Sequence, residues 1–279
     1  MMPDWLDIAY GPHERHRLDI YHARGERPRG LVVWFHGGGF TIGDKRGGAP
    51  YNGLFADAGL TVASANYRLR QDAPFPASVM DGARAIQFLR CRAAELGIDP
   101  RKIGAVGGSA GGQIALWVAF HKDMADSASD DPVTRCSSRL AAVAADGAQT
   151  VFDPRVLKEL IHFVPVDQYE YWGVRPEEAE TDRARRIFED CSAAAHATAD
   201  APPVFLTYQR EFDPITPEMD EGRKIHHAIF GQYLKQRLDA LDVECTWTYK
   251  GDGRGSDRRD YWKMIIAFFL RHFDALGDR

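Results

Sequence analysis

The sequence lacks most of what would commit a chain to a membrane, a metal or a nucleic acid. A helix that crosses a bilayer needs ~20 consecutive apolar residues, and the longest apolar run near the C-terminus covers only 264–270. The opening stretch, Met-Met-Pro-Asp-Trp-Leu-Asp-Ile-Ala-Tyr-Gly, has no basic segment leading into an apolar one, so no secretory leader is expected. Cysteine is scarce: Cys91, Cys136, Cys191 and Cys245 lie about fifty residues apart, with no Cys-x-x-Cys pair. That spacing argues against a cysteine-bound zinc, and unpaired thiols in a reducing, cytoplasmic setting are expected in preference to bridges. An excess of charge is lacking too. A formal net charge of −5 over 279 residues gives no electrostatic reason to bind nucleic acid or an anionic bilayer. No cofactor and no metal is expected, and no repeat is present.

What is present suits one large α/β domain spanning 1–279. Apolar residues make up 44% of the chain, enough for a substantial core. Polar and apolar residues alternate over 17–21, as in an exposed antiparallel edge. The continuous apolar run at 31–35 reads as a strand buried on both faces, 60–65 as another buried strand, and 140–145, 203–208 and 243–249 as further strands. Between them, helical spacing predicts helices over 77–96, 217–240 and 260–273. The apolar side of the last one suits a core or a homodimer contact equally. Strands alternating with helices predict a mostly parallel sheet covered on both faces, with chemistry at the carboxyl ends of the strands. The stretch 148–200 breaks the pattern: it has helical segments and scattered aromatics but no buried strand, and reads as a helical lid.

Two glycine-rich turns follow buried strands. His36-Gly37-Gly38-Gly39-Phe40 comes directly after the 31–35 run. Three glycines in a row are costly for stability, so either the loop is merely flexible or its amides must approach a ligand oxygen closely. Gly107-Gly108-Ser109-Ala110-Gly111 lies between the 103–106 run and the apolar 114–120 segment. A strand, a Gly-x-Ser-x-Gly turn and a buried helix in that order hold the serine hydroxyl out above the sheet edge.

Taken together, His36-Gly37-Gly38-Gly39-Phe40 and Gly107-Gly108-Ser109-Ala110-Gly111-Gly112 resemble the α/β-hydrolase superfamily, in particular the esterase/lipase branch related to hormone-sensitive lipase. Asn66-Tyr67-Arg68-Leu69 and Gly97-Ile98-Asp99-Pro100 add to the likeness, which extends over most of 8–273. The resemblance implies Ser109 as nucleophile of a carboxylesterase acting on small acyl esters. It implies an oxyanion hole from the amides of Gly37, Gly38 and Ala110, with His36 shaping the loop. Asp213, in Asp-Pro-Ile-Thr-Pro after a strand, matches the acid that orients the base; anchoring a helix N-terminus is the other reading.

The base is where the sequence departs from the family. The loop after the last strand should carry a histidine, but reads Gly251-Asp252-Gly253-Arg254-Gly255, and no histidine occurs between His227 and His272. Arginine offers only donors and cannot accept the serine proton. Arg254 in that place implies a degenerate triad or a relocated base, with His226 and His227 as first candidates. His162 in the lid, His196, His272 and the carboxylates Asp252 and Asp257 are the remaining ones. A weak or specialised esterase, a non-catalytic small-molecule binder of the receptor-like pseudoenzyme kind, and another reaction in the same cavity all stay open. Arg254 near the cavity would suit a carboxylate ligand.

Overall fold

The computed structural model describes residues 2–25, 28–255 and 257–277. Ser256, in the loop after the last strand, lies outside them. The elements run β1 (Trp5–Ala9), β2 (Arg17–Tyr21), β3 (Leu31–Phe35), α1 (Ala49–Asp57), β4 (Thr61–Ala65), α2 (Ala77–Cys91), β5 (Ile103–Gly108) and α3 (Ala110–Phe120). They continue through β6 (Ala142–Asp146), α4 (Pro154–Ile161), α5 (Gln168–Trp172), α6 (Asp182–Cys191) and β7 (Val204–Glu211). The chain then closes with α7 (Glu221–Ile225), α8 (Ile229–Ala240), β8 (Cys245–Lys250) and α9 (Arg258–Ala275).

The strands form one sheet in the order β1-β2-β4-β3-β5-β6-β7-β8. Contacts of β2 with β1 and β4 are antiparallel; every other pair is parallel. This is the α/β-hydrolase fold expected. The continuous apolar runs are explained by burial on both faces: Leu31, Val33 and Phe35 point into one apolar layer, Val32 and Trp34 into the other. The first layer packs under α2, α3 and α8. The second takes Trp262, Ile265, Ile266, Phe268, Phe269 and Phe273 of α9, so the apolar side of that helix is spent on the core.

Parallel register aligns the strand ends that matter. Phe35 lies opposite Gly107, Gly108 opposite Asp146, and Asp146 opposite Thr207. Loops starting at residues 36, 109 and 147 therefore leave the same edge side by side, next to the end of β7.

Three expectations need correction. The helix predicted over 77–96 ends at Cys91, and the chain continues in turns. The helix predicted over 217–240 is two helices, broken between Ile225 and Ile229, with His226 at φ −113°, ψ 19° as the cap of the first. Lastly, Cys91 and Cys136 are not free thiols. They form a disulfide with Cα atoms 5.9 Å apart, while Cys191 and Cys245 stay unpaired. The fold brings the end of α2 against the loop before β6, a proximity that a separation of 45 residues hides. A bridge closing a loop of that length constrains the unfolded chain. The double substitution Cys91→Ala, Cys136→Ala is expected to cost about 2–4 kcal/mol, measured as a lower Tm in non-reducing buffer and abolished as a difference by reductant.

None of the described helices is long and apolar enough to cross a membrane. Between β6 and β7, helices α4 to α6 bury Tyr171, Trp172 and Phe188 against the first apolar layer.

Candidate active site

Ser109 sits at φ 52°, ψ −119° between β5 and α3. A non-glycine residue there is strained by about 1–3 kcal/mol, and the surroundings hold it in place. Its amide donates to the carbonyl of Asp146 at 2.8 Å. A Cβ on Gly111 would lie 2.1 Å from the carbonyl oxygen of Phe35, so the helix can start this close to β3 only with glycine there. The turn thus delivers the serine between two cavities.

The larger cavity, about 660 Å³, is lined by His36, Gly37, Ser109, Asp146, Gln209 and His226 around the mouth of the sheet, with Trp34, Tyr51 and Trp262 as an aromatic wall. Tyr51 and Trp262 stack at 4.6 Å, and the Arg258 guanidinium lies over the Tyr51 ring at 5.4 Å. The smaller cavity, about 60 Å³, lies on the other side of Ser109 and Ala110, against Phe40, Phe152 and Tyr171. Its outer wall comes from α5 and the loop before it, through Pro165 and Gln168, so the 148–200 segment helps to enclose the serine.

The glycine loop is fixed from behind. The His36 ring stacks on Tyr67 at 4.2 Å, and the Tyr67 hydroxyl donates to the His36 carbonyl at 2.7 Å. His36 Nδ1 donates to the Gly37 carbonyl at 2.7 Å, while Nε2 accepts from Arg15 at 3.3 Å. Burial pushes this histidine down to about 4, so it is neutral and both its nitrogens are occupied. Gly38, at φ +116°, turns where a Cβ would lie 2.1 Å from the Ile42 carbonyl oxygen. Among the described residues, the amides of Gly37, Gly38 and Ala110 have no protein acceptor. Ala110 opens α3, where the first amides have no partner within the helix.

The two adjacent histidines have different surroundings. His227 is buried with both nitrogens engaged: Nε2 donates to the Asp213 carbonyl at 2.9 Å, and Nδ1 accepts from the Ile229 amide at 3.1 Å. Asp213 itself pairs with Arg223 at 2.5 Å, and its other oxygen lies 3.7 Å from His227 Nε2. None of these three lines either cavity at Ser109. His226, by contrast, lines the large cavity with Ser109. Its Nδ1 is 2.8 Å from the Gly147 carbonyl, which can only accept, so in the neutral ring Nε2 carries the lone pair. Burial holds this imidazole below its ordinary range; the Gly147 hydrogen bond opposes that shift and the Arg210 charge adds to it.

The loop after β8 places its residues differently from what the family resemblance implies. Arg254 lies outside the cavity, its guanidinium donating to the Trp247 carbonyl at 3.1 Å. Asp252 anchors the turn by accepting from the Thr248 hydroxyl at 2.5 Å and the Arg254 amide at 2.9 Å. Asp257 caps α9. Two cations do line the cavity, Arg210 after Gln209 and Arg258 in the first turn of α9, and Arg258 Nη2 lies 3.6 Å from Asp146 Oδ2.

Asp146 was not anticipated as a site residue, although a charged residue closing the apolar 140–145 run was a visible signal. Its side chain is only 5% exposed and accepts from Gln209 at 3.2 Å. Burial raises its pKa to about 6, against the smaller opposing pull of Arg258 and Gln209. Raised above the ordinary carboxyl value, this group favours the fold in its protonated form; that contribution is complete below about pH 4 and is lost as pH rises through 6. Asp146→Asn is therefore expected to stabilise the protein by up to about 3 kcal/mol at pH 8 and by nothing at pH 4, read as the Tm difference from wild type across that range.

Comparison with known proteins adds the lineage. Residues 18–221 match the family model described as BD-FAE. The chain belongs to the BD-FAE family. This covers both glycine-rich turns, β2 to β7 and the helices between them, and it makes the chain an α/β-hydrolase of the esterase/lipase kind. Among curated proteins it is similar to the probable carboxylic ester hydrolase LipM of Mycobacterium tuberculosis, 29% identical over 95% of this chain and 60% of that protein. Esterase LipQ of the same organism is 29% identical over 76% of this chain and 49% of its own length. The chain thus spans about half to three-fifths of these two relatives. Among solved structures, a truncated carbohydrate esterase from gut microbiota superposes with a TM-score of 0.76 at 20% identity, covering 97% of this chain and 96% of that one. An esterase of Thermogutta terrifontis gives 0.67 at 22% identity over 91% of this chain and 87% of that one. At those identities the likeness is one of fold.

Proposed function

We propose that the chain is a carboxylesterase acting on small acyl esters, with Ser109 as nucleophile and His226 as the relocated base. The observation that carries this reading is the shared cavity of Ser109 and His226, with His226 Nδ1 committed to the Gly147 carbonyl. Gly147 follows Asp146, whose carbonyl holds the Ser109 amide, so base and nucleophile hang from one stretch of backbone. In the first half-reaction, Ser109 Oγ attacks the acyl carbon and its proton passes to His226 Nε2. The carbonyl oxygen becomes an oxyanion on the amides of Gly37, Gly38 and Ala110, donors worth about 3 kcal/mol each. The imidazolium returns the proton to the leaving alkoxide, and water repeats the sequence on the acyl-enzyme, releasing the acid.

Gly147 replaces the usual carboxylate behind the base, because Asp213 is held by Arg223 and His227. A carbonyl fixes the tautomer as a carboxylate does but supplies no full charge to an imidazolium. Loss of the charged partner costs about 10⁴ in kcat in a complete triad, so turnover well below that of full triads is expected. The small cavity beside Ala110 suits a short acyl group, and the aromatic cavity an alcohol of larger size. The disulfide points to work in an oxidising compartment, in place of the cytoplasmic setting expected from unpaired thiols.

Hydrolysis of p-nitrophenyl acetate, butyrate and octanoate tests the reading. Wild type should release p-nitrophenol with kcat/KM highest for acetate and at least ~10-fold lower for octanoate, since a ~60 Å³ cavity excludes the longer chain. Acylated Ser109 should be found by peptide mass mapping after rapid quench. Release no faster than by Ser109→Ala, with saturable ester binding retained, would establish the non-catalytic binder instead.

A further inference from the structure

One face of α3 makes a polar seam from residues that line neither cavity at Ser109. Gln113, Trp117 and His121 are spaced four apart, so they lie on one stripe of the helix and its C-cap. Gln113 Nε2 donates to the Cys191 carbonyl at 2.8 Å and Trp117 Nε1 to the Asp190 carbonyl at 2.7 Å. Both contacts read the last turn of α6. His121, the third member, meets the same turn in another way. Its Nδ1 is 2.7 Å from the Trp117 carbonyl, so that nitrogen carries the proton. Its Nε2 lies 3.2 Å from Asp190 Oδ1. In the neutral ring this sets a lone pair against a carboxylate, a contact that either a proton or a metal ion between the two atoms would satisfy.

His196 reaches the same point from the short helical turn after α6. Its Nε2 is 3.1 Å from the Asp190 carbonyl, to which it donates in the neutral ring, and 3.5 Å from Oδ1, so holding an ion through Nε2 means giving up that hydrogen bond. One ligand atom from each of His121, Asp190 and His196 lies within 4.8 Å of the others. Tetrahedral zinc with bonds of about 2.0–2.2 Å sets its ligands roughly 3.3 Å apart, so the cluster closes on an ion by side-chain movements of about 1 Å or less. Two imidazoles and a carboxylate are a donor set for a divalent transition metal. The backbone carbonyl on His121 Nδ1 is the kind of outer partner that orients a metal-binding histidine.

We propose that His121, Asp190 and His196 bind one divalent transition-metal ion of the zinc type, with water completing the tetrahedron. The ion clips the end of α3, the helix that begins at Ser109, to the helical segment between β6 and β7. The site is independent of the esterase reading and takes no part in its chemistry.

The test uses the tag-free full chain, stripped with chelator and titrated with Zn²⁺ and Co²⁺ by calorimetry and visible absorption. One equivalent of Zn²⁺ should bind with a micromolar or tighter Kd, and Co²⁺ should give the intense visible band of a tetrahedral site. Zn²⁺ at a hundredfold excess over Kd should raise Tm by several degrees. His196→Gln and Asp190→Asn, both at partly exposed side chains, should each weaken binding at least tenfold, while His272→Gln on α9 should not. Absence of saturable binding below about 100 μM, or equal binding by wild type, His196→Gln and Asp190→Asn, would overturn the proposal.

Discussion

Ser109→Ala is expected to lower kcat on p-nitrophenyl acetate by about 10²-fold or more, the ~10⁶ of a complete triad less the ~10⁴ already missing with its charged acid, while leaving KM within a few-fold of wild type. In the proposed mechanism the hydroxyl forms and breaks the bond to the acyl group, and no other serine, threonine or cysteine lines the shared cavity among the described residues. What survives is the contribution of the amides at Gly37, Gly38 and Ala110, a residual of about 10³ to 10⁴ over water. Stability separates this result from simple misfolding. Alanine keeps the strained backbone at φ 52°, so Tm should hardly move. Ser109→Gly should be as inactive as Ser109→Ala but more stable by about 1 kcal/mol, because glycine accepts that conformation without strain. Activity within tenfold of wild type in both variants would remove Ser109 from the mechanism.

His226→Gln carries the second large effect, a loss of about 10²-fold or more in kcat with the fold intact. The neighbouring His227→Gln should behave in the opposite way. It removes buried bonds to Asp213 and Ile229, so it should cost about 1–3 kcal/mol of stability and leave the turnover of the folded fraction near wild type. The pH profile gives an independent reading. A general base works unprotonated, and His226 is held below its ordinary range by burial, against the Gly147 hydrogen bond. The acid limb of kcat/KM should therefore fall below the ~6.5 of a free imidazole. Asp146, titrating at about 6 in the same cavity, adds a second proton to that limb. Asp146→Asn should leave a single ionisation, and His226→Gln should abolish the histidine limb. An unchanged profile in His226→Gln, with activity retained, would return the search to another base.

The difference between the two histidines lies in about one turn of backbone. Continuous helical spacing over 217–240 gives no warning that α7 stops at Ile225 and that His226 turns into the cavity while His227 turns into the core. Helical periodicity reports which residues are buried on average. It does not report where two short helices meet, because that is set by packing against β7 and β8. The loop after β8 shows the same limit. Sequence order alone puts Arg254 in the histidine's place, yet the turn built around Asp252 points Arg254 at the Trp247 carbonyl and lets Arg258 reach the cavity.

The sequence by itself determined the sheet, its burial on both faces and the two glycine-rich turns. Each rests on local physics: apolar runs that need cover, and glycines where no Cβ fits. Tertiary structure alone decided which histidine shares the cavity of Ser109, which cation faces Asp146 and which cysteines meet. Those are distances between segments remote in sequence, and only the parallel register of the strands, with the packing of helices upon them, brings such segments together.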